Sequence, residues 1–564
     1  MNRKTLIPIA LLAGGVLLAG CTAVPAATST GSDTSVSAAQ SQTTGDLAPD
    51  AVMAENADYT TVNLDEWEEA DAVDIQLAGS TADSDAAGVV VDGSTVTVTQ
   101  AGVYRLRGSL AGQVVVAAPD DALVVLILDG VDIANDAGSA IEVQSADDVA
   151  IHLAAGSSNS VSDAATYPED AEANAAIYSE EDLTLSGTGS LTVTARGNDG
   201  ITSKDDLVIL GGTITVTAAD DALRGKDSLV VEGGTLDLTA TGGDGLKSDG
   251  DEGKDEIDWT RGYIYVTGGT IDITAGDDGL QAFTDTVIAG GTITASVADD
   301  GVKAEVIVSI GETAGAEAPS VTVTASTEGI EAANIGISGG VVDVTASDDG
   351  INASGNAELQ ALIAGTEYAD SGRGEFADTG ERLEISGGSV TVDAEGDGLD
   401  SNGSLTISGG TTVVYGPTRS GNGSLDADGQ ISVTGGTLLA FGGGSMEQTP
   451  GTDGQGWVIV SAQLTAGRSG EIVDGSGGTL TEFTARKSAS TVIYSSPDVE
   501  VGETYSVSVG GQTLGSAVAG AGGVGGGPGG MNAGPGQRGE APGGRAPRGG
   551  QPGAPTQPGE EPGA

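Results

Sequence analysis

One cysteine and one histidine in 564 residues exclude several chemistries at once. A lone Cys21 forbids an intrachain disulfide, and a lone His152 leaves no His-based zinc site and no conventional His-dependent triad. Basic residues are scarce: 21 Lys and Arg stand against 82 Asp and Glu, a formal charge of −61. Phosphates would be repelled across the whole surface, so nucleic acid is excluded as a partner and cations become the natural ones. Aromatics make up only 3%. The apolar run at the N-terminus, residues 5–19, is shorter than the roughly 20 residues that span a bilayer.

That run follows Arg3 and Lys4 and ends in Leu18-Ala19-Gly20-Cys21, the layout of a signal peptide over residues 1–21. The last four residues resemble the bacterial lipobox. The resemblance implies that Cys21 is lipidated and that the protein is held on the extracellular face of the bacterial cell membrane through this lipid alone. Residues 22–57 are rich in Ser, Thr, Ala and Gln without apolar periodicity, which predicts a flexible tether. Residues 513–564 are Gly/Pro-rich and predict a disordered tail.

Between tether and tail the chain repeats. Gly-Gly pairs fall at 211–212, 233–234, 268–269, 290–291, 339–340, 387–388, 409–410 and 435–436, a basic spacing of 22. The gaps near 48 predict two irregular coils or one coil with an insertion, and the 35-residue gap an insertion near 250–262. Residues before each pair alternate, as in Leu207 and Ile209 or Leu229 and Val231; residues after it alternate too, as in Ile214 and Val216 or Ile271 and Ile273. A period this short holds no helix pair, so each repeat is one turn of a solenoid with apolar ladders inside and Thr/Asp ladders outside. The expected fold is all-β, a right-handed parallel β-helix over 58–454 closed by a β-rich cap over 455–512.

Each repeat turns again at an acidic corner, in order NDGI, DDAL, GDGL, DDGL, DDGV, TEGI, DDGI and GDGL. Stacked coils lie about 4.8 Å apart. The corners therefore predict a column of Asp199, Asp221, Asp244, Asp278, Asp300, Asp349 and Asp397, with Glu328 once, flanked by Asp220, Asp277, Asp299 and Asp348. Two unit charges at that spacing repel by about 3.5 kcal/mol at an effective dielectric near 20. Arg224, Lys247 and Lys303 recur beside the column, but Gln281, Glu331, Asn352 and Asp400 take the same position elsewhere, too few cations to neutralise it. A metal fits, and an oxygen-only ligand set selects calcium. The alternative is that these aspartates serve turn geometry alone.

The insertion concentrates Trp259, Tyr263 and Tyr265 beside Lys247 and further acids, a candidate sugar platform, with Lys303 near the same corner. Val208, Val230, Tyr265 and Val287 form an outward apolar stripe that either binds ligand or is covered by the insertion. Together with AAIYSEEDLTLSGTGSLTVTA at 175–195, GITSKDDLVILGGTITVTA at 200–218, YIYVTGGTIDITAGDDGLQA at 263–282 and YSSPDVEVGETYSV at 494–507, these segments resemble bacterial calcium-containing β-helical carbohydrate-binding proteins with a pectate-lyase-like fold. The resemblance implies a non-catalytic binder of plant-type or cell-wall polysaccharide, of the cellulose or pectin/polygalacturonate class, at the cell surface, with several calcium ions held in the helix. Two alternatives stay open: a calcium-dependent polysaccharide lyase with a corner lysine as base, and a calcium-stiffened stalk without a sugar site.

Overall fold

The computed structural model describes residues 45–520 except 169, 255, 364–376 and 445. Residues 1–44, with the expected signal peptide and Cys21, and the chain from 521 onward lie outside the described residues.

The repeat folds as its alternation dictates. Each regular coil holds three parallel strands, such as Asp199–Ser203, Asp206–Ile209 and Thr213–Ala218, and each strand pairs in register with its counterpart one coil on. Leu207 stacks on Leu229, and Ile214 on Leu236, so identical apolar positions form ladders that merge into one continuous core. The architecture is a parallel β-helix.

The Gly-Gly pair is required twice over. Its second glycine has positive φ, as at Gly291 (79°), where a side chain would be strained. Its first lies against the coil below: a Cβ on Gly290 would stand 2.2 Å from the carbonyl oxygen of Thr267. Of the two long gaps, the first contains two coils, one with its turn replaced by residues 311–319. The second contains one coil interrupted by a segment that opens with the helix Asn356–Ile363. The expected insertion lies between the strands Leu246–Ser248 and Tyr263–Val266.

Two boundaries differ from the sequence expectation. The last strand, Gln512–Val518, pairs antiparallel with Thr504–Val509, so the cap extends beyond 512; its sheet and the antiparallel strands Trp457–Leu464 and Ala489–Ser495 close the solenoid end.

The second correction is larger. Residues 45–57, expected to be part of the tether, are ordered, and with 58–72 they form a strap running along the strands that precede Gly-Gly. The Arg382 guanidinium donates to the carbonyl of Gly45 (2.9 Å) and Ser309 Oγ to that of Leu47 (2.6 Å). Further along, the Thr60 amide donates to Asp206 Oδ2 (2.8 Å), the Val62 amide to Thr184 Oγ1 (3.0 Å), and Glu69 pairs with Arg105. Leu47, Val52 and Val62 bury themselves against the wall, so the apolar stripe is covered by the strap as well as by the insertion. The three anchoring side chains, Leu47, Val52 and Val62, fall at irregular intervals among Asp, Glu and Ala, which is why periodicity missed the strap.

Candidate functional site: the acidic corner

At each corner the long strand leads through the acidic residues into a short three-residue strand: Thr270–Ala275, then Asp277 and Asp278, then Leu280–Ala282. The short strands pair in register, which stacks Arg224, Lys247, Gln281, Lys303, Glu331, Asn352 and Asp400 in one column beside the aspartates.

The aspartate column is a hydrogen-bonded ladder. The Asp244 amide donates to Asp221 Oδ1 (2.8 Å), that of Asp278 to Asp244 Oδ1 (2.9 Å) and that of Asp300 to Asp278 Oδ1 (2.7 Å). After Glu328 it resumes: the Asp397 amide donates to Asp349 Oδ1 and the Gly423 amide to Asp397 Oδ1, both at 2.5 Å. Turn geometry thus uses one oxygen of Asp221, Asp244, Asp278, Asp349 and Asp397. The column is also deeply placed, with Asp199, Asp221, Asp244, Asp278 and Asp300 buried. Asp220 is half-buried, and Asp277, Asp299 and Asp348 are exposed beside it.

The cost appears in the acidities. Burial first, then neighbouring carboxylates, pushes Asp221 up to about 7, Asp278 to about 8 and Asp397 to about 7, with the amide hydrogen bonds opposing. Asp400 and Glu328 rise to about 8 for the same leading reason.

Basic residues compensate the column only in part. Arg224 pairs with Asp249 (2.8 Å) and Asp199 (3.5 Å). Lys247 Nζ lies 2.7 Å from Asp244 Oδ2, and Lys303 Nζ lies 2.6 Å from Asp300 Oδ2 and 3.0 Å from Glu331. Both lysines, expected near a sugar platform, instead point into the acid column as counterions. Burial disfavours their charge, but the surrounding carboxylates outweigh it and raise their pKa values.

Carboxylate oxygens converge in four corner clusters: Asp244 with Asp277 and Asp278; Asp278 with Asp299 and Asp300; Asp300 with Glu328 and Glu331; and Asp349 with Asp397 and Asp400. In each, one oxygen per residue lies within 4.8 Å of the others. Asp199, Asp220, Asp221 and Asp348 join no such cluster. Among the described residues, the cluster of Asp349, Asp397 and Asp400 has no ion-pair partner. Asn352, in register with Asp400, gives its amide to Glu328 (2.9 Å) and holds its Oδ1 buried without a hydrogen-bond partner. Asp400 stands beside the column in the sequence, but its convergence with Asp349 and Asp397 depends on the register of the short strands that follow the corner.

A further acidic group, Asp182, Asp205 and Asp206, lies away from the corner under the strap and was not anticipated.

The aromatic platform does not form. Trp259 is 2% exposed and stacks on Phe283 at 5.6 Å, and Tyr263 is 1% exposed with its hydroxyl donating to the carbonyl of Ala57. Tyr265, half-buried, packs with them. The insertion brings aromatics to seal the strap, not to face solvent.

Comparison with known proteins decides the family. A family model described as carbohydrate-binding domain-containing protein matches residues 92–375. The chain belongs to the carbohydrate-binding domain family. A family relative from Acetivibrio thermocellus, also named carbohydrate-binding domain-containing protein, is 40% identical over 230 residues, 40% of this chain and 78% of the relative. A solved structure titled as the polysaccharide lyase-like protein from C. thermocellum, gadolinium derivative, is 36% identical, covering 44% of this chain and 99% of that one, with a TM-score of 0.41. In this family member the matched segment contains the first three corner clusters and all of the insertion.

Proposed function

We propose that this chain is a non-catalytic polysaccharide-binding lipoprotein, displayed on the extracellular face of the bacterial membrane through Cys21 and stiffened by calcium ions at its corners. The observation that carries the calcium reading is the uncompensated cluster of Asp349, Asp397 and Asp400 with the buried Asn352 Oδ1 beside it. Oxygen donors without Cys or His suit a hard cation. Calcium accepts six to eight oxygens in irregular geometry, whereas magnesium demands a tighter octahedron. Asp349, Asp397, Asp400 and Asn352 would hold one ion and Asp278 with its neighbours another, and the charge supplied would relieve the repulsion within the column. Membership of the family supports a carbohydrate ligand, which we read as a polysaccharide of the cellulose or pectin class.

Titration calorimetry with calcium and with magnesium, followed by glycan pull-down in calcium and in chelator, tests the reading. Calcium uptake tighter than magnesium together with retention on polysaccharide is expected. A chain that takes up no calcium loses the metal reading, and one that retains no polysaccharide loses the binding reading.

One observation favours the lyase alternative. Lys226 has a lowered pKa, first through burial and then through Lys254 nearby, with Asp251 and Asp249 opposing, which is the direction a general base needs. Against it, Asp227 Oδ1 holds the ammonium at 2.5 Å. Unsaturated products released from polygalacturonate would establish the lyase reading.

A further inference from the structure

The strands that follow Gly-Gly present an ordered surface. Over five successive coils, Ser190–Ala195, Thr213–Ala218, Thr235–Ala240, Thr270–Ala275 and Thr292–Val297 pair in unbroken register, and every second residue faces out. The outward positions form three columns, one of them Thr194, Thr217, Thr239, Thr274 and Ser296. Of the fifteen positions, thirteen are Ser or Thr and two, Asp237 and Asp272, are acidic. The lattice spacing is about 4.8 Å between coils and about 7 Å along a strand, so the array covers roughly 19 by 13 Å.

We propose that this hydroxyl lattice is the face on which the protein docks a neutral, extended polysaccharide whose own hydroxyls repeat regularly, such as a β-glucan. The inference rests on the polysaccharide-binding reading and deepens it by assigning the surface and, of the two glycan classes already named, the neutral one.

Four observations carry it. First, among the described residues the lattice hydroxyls have no intramolecular hydrogen-bond partner except Ser190, which donates to Ser157, so their donors and acceptors are available. Second, Thr is stiff at χ1 and the strands beneath are fixed by pairing on both sides, so little freedom is lost when a ligand is bound. Third, the other two sides of the solenoid are engaged: the strap covers one, and the corner's acids and ion pairs fill the other. Fourth, the only ionisable groups in the lattice are Asp237 and Asp272, which stack directly on one another. As acceptors they suit sugar hydroxyls and repel uronates, which selects a neutral chain. Further along, Arg486 and Lys487 of the cap reach Asp343 and Asp393 and end the open face.

The test compares the full chain with T215V/T217V/T274V/T294V, which removes four hydroxyls while keeping β-branched side chains. A second variant, Thr217→Arg, obstructs the face with one long side chain at an exposed position. Depletion from microcrystalline cellulose and retention on polygalacturonate are measured in calcium, with melting temperature as the fold control. At least a tenfold loss of cellulose affinity in both variants, with unchanged melting, is the expected result. Wild-type binding that survives in both variants overturns the assigned face and leaves the binding reading standing. A wild type that takes polygalacturonate but no cellulose overturns the neutral class. A wild type that takes neither sinks the binding reading itself.

Discussion

The amide of Asp278 donates to Oδ1 of Asp244, its counterpart one coil earlier, at 2.9 Å. That single bond ties turn geometry to charge. An aspartate at the corner satisfies a buried N–H of the next coil, and repeating the device brings carboxylates together in a buried row. The two explanations offered by the sequence, turn residue and cation ligand, therefore do not exclude one another, because the amide of the next coil takes only one oxygen of the carboxylate.

Stability should fall as pH rises when no metal is present. Asp221, Asp278, Asp397 and Asp400 have folded pKa values of about 7 to 8, above the ordinary carboxylate value near 4. Between these limits the native state binds more protons than the unfolded one, so protonation stabilises it and each ionisation on the way up removes stability. Metal-free protein is expected to melt several degrees lower at pH 8 than at pH 5. Calcium should restore the loss at pH 8 and add little at pH 5, as followed by calorimetry.

Asp397 separates the two roles. Asp397→Asn keeps an oxygen for the Gly423 amide but removes the charge; it should raise the metal-free melting temperature at pH 8 and weaken calcium binding about tenfold. Asp397→Ala leaves that buried amide unpartnered and is expected to cost about 1–3 kcal/mol in either condition. Denaturation with and without calcium distinguishes them, and equal behaviour of the two variants would refute the ladder's structural part.

Periodicity made the solenoid legible because its causes are local. A 22-residue repeat, alternation on both sides of Gly-Gly and an acidic turn each act within a few residues, and stacking then follows from repetition. The column of Asp221, Asp244, Asp278 and Asp300 was readable for the same reason. What escaped is what joins distant segments. Nothing near Leu47 or Val62 signals contact with strands far along the chain, and nothing near Trp259 says that Phe283 and the strap will cover it. Lys247 and Lys303 were visible as cations, but their direction depends on the register of three-residue strands.

Burial of Trp259 makes a clear prediction about glycan binding. Trp259→Ala removes an aromatic side chain packed against Phe283, Val287 and the strap, a loss of about 3–5 kcal/mol where no repacking follows. Its signature should be faster proteolysis between residues 45 and 72 and a lower melting temperature. At a temperature where the variant stays folded, polysaccharide affinity should match the wild type. A selective loss of binding in a stable variant would restore the aromatic platform.

Lys303 offers the reverse experiment, because it is a cation already built into the column. Its ammonium bridges Asp300 and Glu331, which stand with Glu328 in one of the four clusters. Lys303→Met keeps much of the side-chain length and removes the charge, leaving three mutually repelling carboxyls. Since the lysine is about a quarter exposed, solvent screens part of the loss, and a cost of about 1–2 kcal/mol is expected without metal. With calcium the vacated position becomes a fourth-side opening onto three oxygen ligands, so the variant should bind one more ion than the wild type and recover its stability. Metal content by elemental analysis gives the count. An unchanged count would mean that lysine and calcium are not interchangeable in this column, and that its acids converge for packing alone.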